Sequence, residues 1–147
     1  MRSSLYGGLC LAVLAVGLVA AGCGGGDDAL TKSEFLKQGN TICKKGNDQI
    51  NKDAKQTFGN KQPSQAQVNS FTTETLIPVV QREIDGVRDL NPPSEDKDQV
   101  TAIFDEAQAV LDKVKKDPAA LILVKPDPFT KANQLAKDYG LKECAAS

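Results

Sequence analysis

From Phe35 to Tyr139 the apolar residues recur at intervals of three and four, in four separate segments, and nowhere do they alternate as a half-buried strand requires. A segment of this kind has one stripe to bury and must bury it against others like it, so the chain is predicted to be all-α. The first segment opens with Thr31-Lys32-Ser33-Glu34, the pattern of a reciprocal N-terminal cap, and continues through Phe35, Leu36, Gly39, Ile42, Cys43, Gly46, Ile50 and Ala54. It predicts a helix from about Lys32 to Thr57, stopped at Gly59. Ser64 with Gln67 repeats the capping logic for a second helix reaching about Leu90, whose stripe runs Val68, Phe71, Thr72, Leu76, Val80, Ile84, Val87 and Leu90. Pro78 lacks a backbone donor and is expected to kink it, bending the helix around the core or shaping a ligand site.

Asn91-Pro92-Pro93 ends that segment, and Ser94 is expected to cap a third helix carrying the regular stripe Val100, Ile103, Phe104, Ala107, Val110, Leu111 and Val114. Glu95 and Asp96 at its start and Lys113, Lys115 and Lys116 at its end complement the helix dipole. Asp117-Pro118 and Asp127-Pro128 each read as a cap followed by proline at the first helical position. The last helix is expected from about Pro128 to Tyr139, ended by Gly140, with Leu141 and Cys144 returning to the core. Short joins between such helices imply an antiparallel, up-and-down helical bundle of about four helices.

The first 22 residues have a different composition. They contain one charge, Arg2, followed by an uncharged stretch of 13 residues from Leu9 to Ala21 and the small residues Ala20-Ala21-Gly22. That is the three-part layout of a secretory signal peptide. Counted generously from Leu5 the apolar stretch reaches 18 residues with four glycines, short for a permanent transmembrane anchor, which is the alternative.

Cys23 directly follows Val19-Ala20-Ala21-Gly22, and here the chain resembles the lipobox of bacterial lipoprotein precursors, in which the cysteine thiol receives diacylglycerol. Ala20 stands where that motif most often carries leucine, and Val19-Ala20-Ala21 also fits ordinary signal cleavage, so a cut before Gly22 remains open beside one before Cys23. Gly24-Gly25-Gly26-Asp27-Asp28 is a flexible spacer, with neither the preceding strand nor the following Gly-Lys-Ser/Thr of a phosphate loop. Residues 1–22 are thus read as export signal, 23–30 as acylated cysteine and spacer, and 31–147 as the bundle.

An exported domain folds in an oxidising compartment. Cys10 would leave with the signal, and Cys43 and Cys144 remain, for which a structural disulfide is the expected state. It would close a loop of about 100 residues, for which chain entropy gives roughly 4–5 kcal/mol. A redox or metal site is the rival, without CxxC spacing and with too few ligands for a metal.

Two further blocks join the lipobox: Glu34-Phe35-Leu36 with Ile42-Cys43, and Asp127-Pro128-Phe129 with Tyr139-Gly140-Leu141 and Cys144. With the glycine spacer they resemble small lipoproteins of high-GC Gram-positive bacteria. The resemblance covers most of the mature chain and implies a helical, disulfide-closed domain at the cell surface. Its motifs are caps and core positions, and it supplies no catalytic or binding residue.

Function is bounded mainly by exclusion. The chain has no histidine, which removes Ser-His-Asp and Cys-His catalysis, histidine zinc sites and haem ligation. Its 19 acidic residues face 18 basic ones, of which Arg2 leaves with the signal, so the electrostatic footprint of nucleic-acid binding is missing. No cofactor is implied. Carboxylates at Asp48, Asp53, Glu95, Asp96, Asp98, Asp105 and Glu106 fall on polar faces or helix starts, whereas acid–base work needs two in one cleft. Asn47, Asp48, Asn51 and Asp53 faintly suggest calcium but lack the loop glycine and the closing glutamate. The run Ala119 to Val124, with Leu121, Ile122, Leu123 and Val124 at its centre, either closes one end of the core or forms an interaction patch.

The expectation is therefore a lipoprotein held on the outer face of the cell membrane through Cys23, serving as a binding or scaffold module. A cell-envelope hydrolase working with carboxylates and hydroxyls is the alternative.

Overall fold

A computed structural model describes residues 29–119 and 127–145. The expected signal, Cys10, Cys23 and its glycine spacer, and the patch residues Leu121, Ile122, Leu123 and Val124 lie outside the described residues. All regular structure among the described residues is helical.

Helix α1 (Lys32–Phe58) begins with both halves of the cap its sequence announces. Thr31 Oγ1 accepts from the Glu34 backbone N–H at 3.3 Å, and the Thr31 N–H donates to Glu34 Oε2 at 3.0 Å. The helix stops at Gly59, whose φ of 56° turns the chain out of the spiral. At 27 residues it is about 40 Å long.

The second segment departs from a simple kink. Ser64 and Gln67 cap α2 (Gln65–Phe71) reciprocally, and a π-helical turn over Thr72–Leu76 then leads into α3 (Ile77–Arg88). Pro78 has no N–H to return to the preceding turn, and its ring crowds the carbonyl four residues back. Widening the spiral by one residue resolves both conflicts: the Ile77 N–H reaches back to the Thr72 carbonyl, and the helical path continues.

Ser94 does not cap the third helix. Residues Ser94–Asp96 form a 3-10 turn in which the Asp96 N–H donates to the Pro93 carbonyl at 2.9 Å, and α4 (Lys97–Lys116) starts behind it. Asp96 turns its carboxylate away from its own helix. It accepts from the Tyr139 hydroxyl at 2.8 Å and pairs with Lys32 at 3.2 Å, while Lys32 also lies 4.4 Å from the centre of the Tyr139 ring. A tertiary partner thus displaces the local cap.

The last helix, α5 (Thr130–Tyr139), begins two residues later than expected. Asp127 still organises its entry, its Oδ1 accepting from the Phe129 N–H at 2.7 Å and its carbonyl from the Thr130 N–H at 3.0 Å, but as a turn preceding the helix. Asp117 makes the same kind of turn with the Ala119 N–H at 3.1 Å.

Helix α3 packs against both α1 and α4, and α5 packs against α4, with its Tyr139 ring meeting Phe35 of α1. Phe35, Val87, Ile103, Leu111, Val114 and Leu141 are completely buried where these stripes meet. Each contributes about 1.5–3 kcal/mol relative to exposure. Gly140, at φ 110°, then reverses the chain, and Leu141 inserts against Gly39, where an added Cβ would lie 2.7 Å from Leu141 Cδ2. One face of α1 receives the returning segment. Asn40 donates to the Gly140 carbonyl and accepts from the Glu143 N–H, Asn47 donates to the Glu143 carbonyl, and between them Cys43 is bonded to Cys144 with a Cα separation of 4.9 Å. The result is an antiparallel four-helix bundle closed by one disulfide.

Candidate functional site

The stripes of α1, α3, α4 and α5 do not close completely. A cavity of about 240 Å³ lies between them. Its described walls are Ile50 and the Cys43–Cys144 bridge on the α1 side, Leu76, Val80 and Ile84 from the π turn and α3, Ile103, Phe104 and Ala107 from α4, and Phe129, Ala132 and Ala136 around α5. Asn47, Asn51, Asp127 and Asn133 add polar groups; Asn51 and Asp127 are solvent-exposed and mark the mouth.

One charged residue sits inside this lining. Glu83 occupies the third-and-fourth-residue stripe of α3 with Val80, Ile84 and Val87, and only 7% of it is exposed. Its Oε1 has no hydrogen-bond partner among the described residues. Opposite it on α1 stands Gly46, and a Cβ built there would overlap the Glu83 carboxylate. The glycine makes the space that the acid fills. Burial pushes the Glu83 carboxyl up to about 7, with Arg82 pulling weakly the other way. An orphaned buried carboxylate costs free energy until something bonds to it or it takes up a proton.

Glu83 was not among the sites suggested by the sequence. The signal was present, since a glutamate spaced three residues from one stripe member and four from another must share their face, and Gly46 lies on the buried face of α1.

The residues singled out from the sequence are dispersed. Cys43 and Cys144 meet, and their bridge forms part of the cavity wall. The carboxylates do not converge: Asp48 pairs with Lys44 at 3.0 Å, Asp105 with Arg88 at 2.6 Å, Glu106 with Lys131 at 2.6 Å, and Asp96 with Lys32 and Tyr139. The faint calcium pattern is likewise split along α1, with Asn47 bonded to the Glu143 carbonyl and Asn51 on the cavity. Among the described residues no group of three or more His, Cys, Asp or Glu is placed to hold a metal ion, and no helix is long and apolar enough to cross a membrane.

The described lining contains no hydroxyl or thiol nucleophile, and Asp127, its other carboxylate, is exposed and already accepts the Phe129 N–H. An apolar chamber with one buried acid can therefore enclose a small molecule and hold one polar group of it. No protein family, curated protein or solved structure matches the chain.

Proposed function

We propose that this protein is an exported lipoprotein, anchored by an acyl group on Cys23 to the outer face of the cell membrane, whose bundle binds a small, largely apolar ligand in the cavity beside Glu83. The anchor is supported by the signal-like leader, the small residues before Cys23 and the glycine spacer after it. Binding is supported by one observation above all, an apolar cavity with an unpartnered carboxylate in its wall. Packed interiors hold few voids larger than a water molecule. This one exceeds the roughly 150 Å³ of an apolar cavity that takes up benzene.

A cell-envelope hydrolase is the second reading, favoured only by the elevated Glu83 acid. It requires a nucleophile or a second acid–base group beside Glu83; the described lining brings no nucleophile, and its other carboxylate, Asp127, is exposed and already accepts the Phe129 N–H.

Both halves of the proposal are open to direct test. Cys23→Ser is expected to abolish incorporation of labelled fatty acid and release the protein from the membrane fraction; continued retention overturns the anchor. Xenon is expected to shift the NMR signals of Ile103, Phe104 and Ala132 in the native protein and not in Ala132→Phe, which fills the cavity. Unperturbed signals in the native protein overturn the binding site.

A further inference from the structure

Resting on the reading of the cavity as a binding site, we infer that its ligand is an apolar primary amine whose ammonium group bonds to Glu83. The lining fixes the class of molecule in three steps.

The body of the ligand must be apolar, because most of the described lining is aliphatic or aromatic side chains and a disulfide, with Val80, Ile84, Ile103 and Phe104 each at most 8% exposed and Asn47, Asn51 and Asn133 the only uncharged polar side chains in it. Its size follows from the volume. Benzene, with six carbons, occupies an apolar cavity of roughly 150 Å³, so 240 Å³ suits about ten non-hydrogen atoms.

The ligand must also bring a donor. Glu83 Oε1 receives no hydrogen bond among the described residues, and Asn47 in the same lining donates its side-chain amide to the Glu143 carbonyl.

The donor is best charged, because the described lining carries two carboxylates, Glu83 and Asp127, and no lysine or arginine. Arg82, on the same helix as Glu83, is exposed and acts on it only at a distance. No titratable residue of α1, α4 or α5 lines the cavity among the described residues, so nothing on the facing helices neutralises Glu83 when it ionises. An ammonium supplies both the missing bond and the missing charge, whereas a hydroxyl supplies only the first.

Glu83 also sets the sign of a pH dependence. Desolvation holds it protonated below about pH 7, so binding an ammonium there requires it to give up a proton first. The amine itself, with the ordinary pKa of about 10 of an alkylammonium, stays charged throughout. Affinity for the amine therefore rises with pH and levels off above neutrality.

Three probes of equal size separate the possibilities: phenylpropylamine, phenylpropanol and butylbenzene, each titrated into the disulfide-intact mature protein and followed by protein-detected NMR. The expected result is that the amine binds at least about tenfold more tightly than the other two at about pH 8, and that this preference falls about tenfold by about pH 5.5. Glu83→Gln, close to isosteric, should lose the preference while still taking up butylbenzene. Equal binding of amine and hydrocarbon, or an amine preference that ignores pH or survives Glu83→Gln, overturns the assignment of an amine and leaves the cavity reading standing. The pH profile of the native protein decides even where the variant fails to fold. Absence of any shift at the cavity residues with all three probes overturns the cavity reading as well.

Discussion

Gly46 on α1 and Glu83 on α3 form a matched pair, in which the missing side chain of one makes room for the carboxylate of the other. The pair places the one unsatisfied buried acid of the described residues on the cavity wall. The energetic sign of a change at residue 46 therefore depends on what stands at residue 83.

Gly46→Ala is expected to destabilise the native protein by about 1–3 kcal/mol, because the new methyl must displace the Glu83 carboxylate. In a Glu83→Ala background the overlap is gone and only helix propensity remains. The same Gly46→Ala change should then stabilise, by up to about 1 kcal/mol. Urea denaturation of the four proteins of this cycle measures the reversal, and a loss of equal size in both backgrounds would refute the steric account.

Stability should fall as pH rises through the range set by Glu83. Its folded-state pKa of about 7 lies above the ordinary 4.5, so the folded state binds more protons than the unfolded one between these values. The penalty is absent below the unfolded value and fully present above the folded one. Its full size is on the order of 3 kcal/mol. Unfolding free energies at about pH 5 and about pH 8 are expected to show the drop in the native protein and a much flatter response in Glu83→Gln.

Reducing the Cys43–Cys144 bridge, or replacing both cysteines by alanine, is expected to cost about 4–5 kcal/mol, the loop-closure entropy of a ring of this length. Thiol titration of the oxidised protein should detect neither Cys43 nor Cys144. Titration of both would contradict the fold.

Tyr139→Phe should raise the pKa of the Asp96 carboxyl. The Tyr139 hydroxyl bond is the largest single influence holding that group below its usual range; desolvation opposes it, and Lys32 lowers it further through a hydrogen bond and its charge. Carboxyl NMR titration of Tyr139→Phe, and separately of Lys32→Ala, should show the Asp96 carboxyl shifted upward in each variant, and no shift in Tyr139→Phe would refute the hydroxyl's role.

The features legible from the sequence are those in which neighbours along the chain cooperate. Thr31 with Glu34 and Ser64 with Gln67 cap their helices reciprocally because each partner lies one turn away, and the stripes of α1 and α4 show directly which residues are buried. Cys43 and Cys144 could be paired by elimination once export was assumed, and the bond between them is present. What the sequence did not disclose depends on partners distant along the chain. Ser94 looks like a cap, yet Asp96 behind it is claimed by Tyr139 and Lys32, and the helix starts after a 3-10 turn. Pro78 announces a disturbance without saying whether it will be a kink or a π turn. Glu83 reads as an ordinary surface charge until Gly46 is seen across from it. Asn40 and Asn47, on the same face of α1 as Cys43, gain their meaning only once residues 140–145 lie against them.

The bond between Cys43 and Cys144 makes everything from residue 44 to residue 143 a covalent ring. A protease that cuts the backbone once anywhere within it leaves two pieces that cannot diffuse apart, so the nicked molecule persists as a two-chain protein for as long as the bridge is intact. Such a cut would be silent on a non-reducing gel and appear as two fragments only after a thiol is added.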